Sequence, residues 1–256
     1  TMYWKAEALY RTEKYRQAID LYNKFLISPG AYSLPQYNTA QYNLAYSYFS
    51  VKNYPQASLW FKKYLNNTGE KYTDIAADAS IRIGDCYYVK RNYQEAIRYY
   101  NSAVAKDAAD ADYAVFLIGF CLGLLRNYQK KAEVLQNLIN KYPNSLYTDD
   151  ALYELAKSHV EMTNLSQAIT NYQTLIENHP NSSYVRKARM DLGLIYYNNG
   201  NNEKALATYE KIIEETPNSE QAKSAVDVFK QIYIEEKGVD AYIDYSKKFG
   251  ELGNMS

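Results

Sequence analysis

The chain has 256 residues, 47% hydrophobic and 23% charged, with 29 basic side chains against 29 acidic ones. Balanced charge leaves no electrostatic footprint for nucleic acid or an anionic membrane surface. The lack of any run of about 18 apolar residues excludes direct membrane insertion by a spanning helix. With 10 glycines and 6 prolines against 30 tyrosines, breakers are scarce and large amphipathic side chains abundant, which predicts an all-α protein. Taken in order, the apolar periodicity predicts Met2–Thr12 paired with Tyr15–Ile27, then a long linker over 28–36 containing Pro29, Gly30 and Pro35. Asn38–Val51 pairs with Tyr54–Asn66, Thr73–Lys90 with Tyr93–Lys106, and Ala111–Leu125 with Tyr128–Lys141. Leu146–Met162 with Leu165–Asn178 and Tyr184–Asn198 with Glu203–Glu215 complete six units, and Val226–Glu236 with Asp240–Phe249 form a degenerate last pair. Three units end at Pro143, Pro180 and Pro217, each followed by Asn-Ser, a turn and N-cap signal. Asp149 and Asp150 sit where a helix dipole favours negative charge. The chain starts inside a helical pattern and ends just after another, so it reads as part of a longer protein from which any targeting segment has been cut.

The pairs are copies of one unit. The residues opening each second helix are Tyr15, Tyr54, Tyr93, Tyr128, Leu165 and Asn202, separated by 39, 39, 35, 37 and 37 positions. Three places after this anchor stand Ala18, Ala57, Ala96, Lys131, Ala168 and Ala205. Seven places after it stand Tyr22, Phe61, Tyr100, Leu135, Tyr172 and Tyr209. Nine places before it stand Ala6, Ala45, Gly84, Gly119, Ala156 and Gly193. Small residues belong where the two helices of a pair approach closely. A mid-helix glycine costs roughly 1 kcal/mol, so Gly84, Gly119 and Gly193 imply a close approach that compensates. Lys131 breaks the pattern: a lysine at the small-residue place predicts a local shift in the fourth unit unless its stem reaches outward. In the last pair Lys230 and Tyr242 replace the small residues, which predicts a looser end.

These positions resemble the tetratricopeptide repeat. Gly84, Tyr93, Ala96 and Tyr100 fit its register, as do Ala45, Tyr54, Ala57 and Phe61. The resemblance covers nearly the whole chain and implies an α-solenoid, a right-handed superhelix of antiparallel helix pairs with a concave inner face. The units run over about 1–27, 38–66, 73–106, 111–141, 146–178 and 184–215, with the degenerate pair at 220–249, in a single array over 1–256.

Little in the sequence suggests chemistry. Cys86 and Cys121 share one place in the register, held by Ala8, Ser47 and Ser158 elsewhere, which predicts small buried thiols too far apart for a disulfide. His159 stands where other units have Tyr48, Tyr87 and Tyr196, and His179 precedes Pro180 as Tyr142 precedes Pro143, so both are expected to pack rather than react. No metal-ligand spacing, phosphate-cradling glycine loop or nucleophile elbow occurs. No catalytic residue, metal or cofactor is assigned, and the chain is expected not to be an enzyme. The sequons at Asn66, Asn164, Asn181 and Asn254 follow from abundant Asn and Ser.

The resemblance implies that first helices line an inner groove for a protein or peptide partner. By register the groove carries Tyr3, Glu7, Tyr10, Tyr42, Tyr46, Phe49, Ile81, Asp85 and Tyr88, then Phe116, Phe120, Tyr153, Lys157, Met190, Leu194 and Tyr197. Tyrosine suits such a face because a large apolar ring ends in a polar tip. The carboxylate clamp of some members is missing: its basic place holds Tyr42, Ile81, Phe116, Tyr153 and Met190 here. An apolar extended or helical segment is the expected occupant. The Pro-Asn-Ser-x-Tyr junctions are similar in style to repeats of bacterial envelope proteins of the Tol–Pal and outer-membrane assembly systems, which implies a periplasmic or outer-membrane-associated scaffold, with the cytoplasm as alternative. Other readings are an oligomerising part of a longer array, including homo-oligomers, and glycan capture for nutrient uptake.

Overall fold

The computed structural model describes residues 2–68, 74–106, 108 and 110–247. It divides into two compact units, Thr1–Leu138 and Ile139–Ser256. Among the described residues there are fourteen α-helices and no strand. In the first unit these are α1 Met2–Arg11, α2 Tyr15–Leu26, α3 Tyr37–Ser50, α4 Tyr54–Thr68, α5 Asp74–Val89, α6 Tyr93–Val104 and α7 Ala111–Leu124. Helix α8, Tyr128–Lys141, runs across the division. The second unit has α9 Thr148–Glu161, α10 Leu165–Asn178, α11 Val185–Asn198, α12 Asn202–Glu215, α13 Glu220–Lys237 and α14 Val239–Ser246. The expected start at Thr73 and end at Phe249, like the sequon at Asn254, lie outside the described residues.

One turn joins the helices of every repeat. Two places before the anchor, Glu13, Lys52, Arg91, Arg126, Thr163 and Gly200 all adopt positive φ, between 56° and 73°. Their N–H groups donate to carbonyls three residues back, and the next N–H reaches five back: Arg91 N to Tyr88 O at 2.8 Å and Asn92 N to Tyr87 O at 3.0 Å, and likewise in the other five. This left-handed closure satisfies the last helical carbonyls, which would otherwise lack partners. The following residue is asparagine in five of the six: Asn53, Asn92, Asn127, Asn164 and Asn201. Asn92 and Asn201 cap the next helix by accepting from Glu95 N and Lys204 N. This Asn directly precedes five of the six anchors; Lys14 precedes the first.

Close approach of the paired helices is as expected. A Cβ on Gly84 would lie 2.4 Å from the Tyr100 ring, and one on Gly193 2.7 Å from the Tyr209 ring. One on Gly119 would meet Leu135 Cδ2 at 2.6 Å. Tyr100, Tyr209 and Leu135 are fully buried, as are the repeat alanines Ala18, Ala57, Ala96, Ala168 and Ala205. Cys86 and Cys121 are buried free thiols whose pKa burial pushes up to about 12, so neither is a ready nucleophile.

Three expectations need correction. Lys131 is buried, 5% exposed, yet the fourth unit is not shifted, since Gly119 still meets Leu135 as its counterparts meet theirs. The reason is a size swap. Five places before the anchor the other units carry Tyr10, Phe49, Tyr88, Val160 and Tyr197; this unit carries Gly123. A Cβ there would stand 3.1 Å from Lys131 Cδ and 3.2 Å from its Nζ, so the glycine leaves the space the lysine fills. Second, the Asn-Ser after each proline caps a helix only once. Ser219 accepts from Ala222 N at 3.0 Å, whereas Ser145 and Ser182 accept from Tyr147 N and Tyr184 N at 3.1 Å, closing turns that delay their helices to Thr148 and Val185. Third, the first helix of the tail begins at Glu220, not Val226, because that Ser219 cap lies further upstream. The tail is loose, as expected: α14 buries no residue, and Tyr245 holds it by stacking 5.1 Å from Phe229.

Candidate functional site

The face made by first helices is built on hydroxyl–carboxylate pairs. In the first unit Tyr22 on α2 donates to Glu7 Oε2 on α1 at 2.9 Å, and Asn43 Nδ2 on α3 joins the same oxygen at 2.8 Å. Arg11 Nε meets Glu7 Oε1 at 2.7 Å. Burial raises the Glu7 pKa, but hydrogen bonds from Arg11 and Tyr22 outweigh it and leave the carboxyl below its usual value. On α5, Asp78 accepts from Tyr42 at 2.6 Å and from Tyr46 at 2.7 Å. Arg82 bridges Asp78 Oδ1 at 3.2 Å and Asp85 Oδ2 at 2.7 Å, and Tyr100 donates to Asp85 Oδ1 at 2.9 Å. Burial dominates at Asp85 and raises its pKa despite the guanidinium.

These bonds follow a rule within the chain. A tyrosine seven places after the anchor brings a hydroxyl into the pair and needs an acceptor. Tyr22 finds Glu7 and Tyr100 finds Asp85, each eight places before its own anchor. Where the seventh place is Phe61 or Leu135, with no hydroxyl, the eighth place before is Tyr46 or Phe120. Glu7 and Asp85, read from the sequence as groove-facing, are therefore turned to internal duty. The second unit departs from the rule. The eighth place before the fifth anchor is Lys157, so Tyr172 takes its acceptor from the next helix, donating to Asp191 Oδ2 at 3.0 Å, as Tyr153 also does at 3.0 Å.

The expected groove residues separate by exposure. Tyr3, Ile81 and Tyr153 are buried, Ile81 to 1%, and serve the core. Tyr10, Tyr42, Tyr46, Phe49, Tyr88, Phe116, Met190 and Tyr197 are half-buried. Burial pushes the Tyr10 pKa up to about 12. Phe120 and Leu194 are exposed, at 38% and 49%. In the first unit Phe120 adjoins Tyr88 at 6.3 Å and Phe116 at 6.4 Å, a surface cluster of rings. In the second unit Leu194 borders a cleft of about 260 Å³ lined by Lys157, Val160, Leu165, Tyr172, Asp191 and Ile195 among others. His159 is half-buried, its Nδ1 has no hydrogen-bond partner, and burial lowers its pKa. Among the described residues no group of three or more His, Cys, Asp or Glu is placed to hold a metal ion, and no helix is long and apolar enough to cross a membrane.

Helix pairs locked by small-on-large contacts and one recurrent turn define an all-α repeat protein. Family models described as tetratricopeptide repeat match residues 3–73, 69–113 and 153–220, and a second such model matches 113–145. The chain belongs to the tetratricopeptide repeat family. Among solved structures it is similar to YrrB, "a TPR protein with an unusual peptide-binding site", at 21% identity over 82% of this chain and 96% of that one, with a TM-score of 0.56. It is also similar to a tetratricopeptide repeat protein from Parabacteroides merdae, at 14% identity over 98% and 92% and a TM-score of 0.60. MamA matches at 19% identity over 71% and 92%, with a TM-score of 0.59. At these identities the likeness is one of fold. No curated protein matches the sequence.

Proposed function

We propose that the chain is a non-catalytic scaffold that holds an apolar segment of a partner protein on the first-helix face of its second unit. The observation that carries this reading is the cleft bordered by Leu194 and Lys157. Because Asp191 serves Tyr172, the eighth-place Lys157 is free of the internal pairing that occupies Glu7 and Asp85, and the eighth-place Leu194 has no hydrogen-bonding group to commit to it. Leu194 and Val160 offer aliphatic contact beside a cation and a carboxylate, a mixture that fits an extended or helical peptide with apolar anchors. Scaffold roles are general in the family, and YrrB, of the same fold, is described as having a peptide-binding site. The test is selection of peptides from a random display library, followed by titration. Selected peptides should be apolar at alternate or helical spacing, and Leu194→Asp should weaken them about ten-fold or more. Unchanged affinity in Leu194→Asp would remove this cleft from the reading. The envelope location is also our proposal, supported by the Pro-Asn-Ser-x-Tyr junctions alone; fractionation of the source cells tests it, and recovery in the cytosol would refute it.

A further inference from the structure

A second cleft in the same unit shares no residue with the first. It encloses about 310 Å³ between α10, α11 and α12. Its apolar lining comes from Leu192 and Tyr196, both buried, with half-buried Ile176 and exposed Ala207. Three cations line it, Arg189, Lys204 and Lys211, against one acid, Glu177. Lys204 lies over the Tyr196 ring at 5.6 Å. Gln173 Nε2 donates to the Tyr196 hydroxyl at 3.1 Å. The Arg189 side chain is 11% exposed; its Nη1 pairs with Glu215, while its Nε is buried without a hydrogen-bond partner.

A buried N–H with no acceptor is costly, and guanidinium is the group best shaped to take a carboxylate. We propose that this cleft binds the glutamate or aspartate side chain of a partner's acidic peptide, with an aliphatic neighbour of that residue resting on Leu192 and Tyr196. The carboxylate supplies the acceptor that Arg189 Nε lacks, and Lys204 and Lys211 complete a positive rim. The apolar lining argues for a peptide over a bare anion, which would gain nothing from it. The site is separate from the first-helix cleft and does not depend on that reading.

The probe is a fluorescein-labelled hexapeptide of alternating glutamate and leucine with both ends blocked, titrated into the full chain by anisotropy. A glutamine–leucine version is the control. Saturable binding of the acidic peptide is expected, about ten-fold tighter than the control, the effect of one charge-assisted hydrogen-bond set. Arg189→Gln should lose about ten-fold, and the surface double variant Lys204→Gln, Lys211→Gln several-fold. Glu215→Gln, which frees the guanidinium, should tighten binding. Lys130→Gln, at an exposed cation outside both clefts, should leave it unchanged. If Arg189→Gln loses helical circular dichroism, the double lysine variant and Glu215→Gln decide. Absence of saturable binding, equal affinity for the glutamine peptide, wild-type affinity in the double variant, or loss of binding in Lys130→Gln each overturns the proposal.

Discussion

Two helix pairs, one in each compact unit, solve the same problem differently. In the third pair Tyr100 puts its hydroxyl into the interior and Asp85, on the partner helix of the same pair, accepts it. In the fifth pair Tyr172 occupies the same place, but the position opposite is Lys157 and the acceptor is Asp191 of the following pair. The first arrangement spends the eighth-place side chain on the interior. The second ties neighbouring pairs together and leaves that side chain at the surface. A buried hydroxyl thus decides, through where its acceptor stands, whether a first helix presents its own chemistry outward.

The carboxylates are the place to break this comparison, and the largest effects belong there. Asp78→Ala removes the acceptor of Tyr42 and Tyr46 and one partner of Arg82, so about 3 kcal/mol or more of stability should be lost. Asp191→Ala strips two tyrosine hydroxyls but no guanidinium, and about 2 kcal/mol is expected. Urea denaturation of both variants ranks them. If Asp191→Ala costs nothing, the hydroxyls have other acceptors and the inter-pair tie is not a stabilising one.

The glycines sharpen what the two units share. Gly84→Ala and Gly193→Ala gain helix propensity but drive a methyl into a fully buried tyrosine ring, so each should lose a net 1–3 kcal/mol, roughly the cost of overpacking. Gly119→Ala meets only the branched end of Leu135 and should cost less. Thermal melts of the three variants give the order; equal losses at all three would mean that ring rigidity does not matter.

Much of this was legible from spacing. Small residues recurring nine places before the anchor located the six repeats, and the substitution of Lys230 and Tyr242 marked the loose tail. What spacing could not show was pairing across helices. Glu7 and Asp85 fall on the groove-facing period, yet their acceptor role depends on which residue stands opposite, and that follows only from comparing two columns of the repeat together. Lys131 misled for the same reason. Read alone it predicts distortion; read with Gly123 it is an exchange of a small and a large residue between two helices. Ile81 and Tyr153 share the groove period too, but sit deep enough between helices to be covered.

A smaller effect separates the acids by pH. Hydrogen bonds hold the Glu7 pKa below its ordinary 4.5, so its contribution is fully present above that value and is lost as pH falls through the lower folded-state value. Glu7→Gln should therefore melt earlier than the parent at pH 6 and 7, with the gap closing below pH of about 4. Asp85 has the opposite sign: its pKa is raised, so ionising it costs stability that returns as pH falls. A Glu7→Gln gap that persists unchanged to pH of about 3 would show that the amide's shape, not the charge, is at fault.

The turns carry the smallest effect and the cleanest. Six repeats place the residue two before the anchor in the left-handed region, and only the sixth uses glycine, Gly200. For a residue with a Cβ that conformation costs roughly 1 kcal/mol. A glycine relieves this strain but widens the unfolded ensemble, so part of the gain is returned. Lys52→Gly in the first unit and Thr163→Gly in the second should each stabilise by a few tenths to about 1 kcal/mol, and Gly200→Ala should cost a similar amount. The hydrogen bonds that close these turns run between backbone atoms; at Thr163 the side-chain Oγ1 also donates to Met162 O at 2.7 Å, so Lys52 gives the cleaner reading. Matching gains at Lys52 and Thr163 would show that the turn is interchangeable between the units even though the carboxylates are not; a loss at either would mean that its side chain does something the backbone geometry does not reveal.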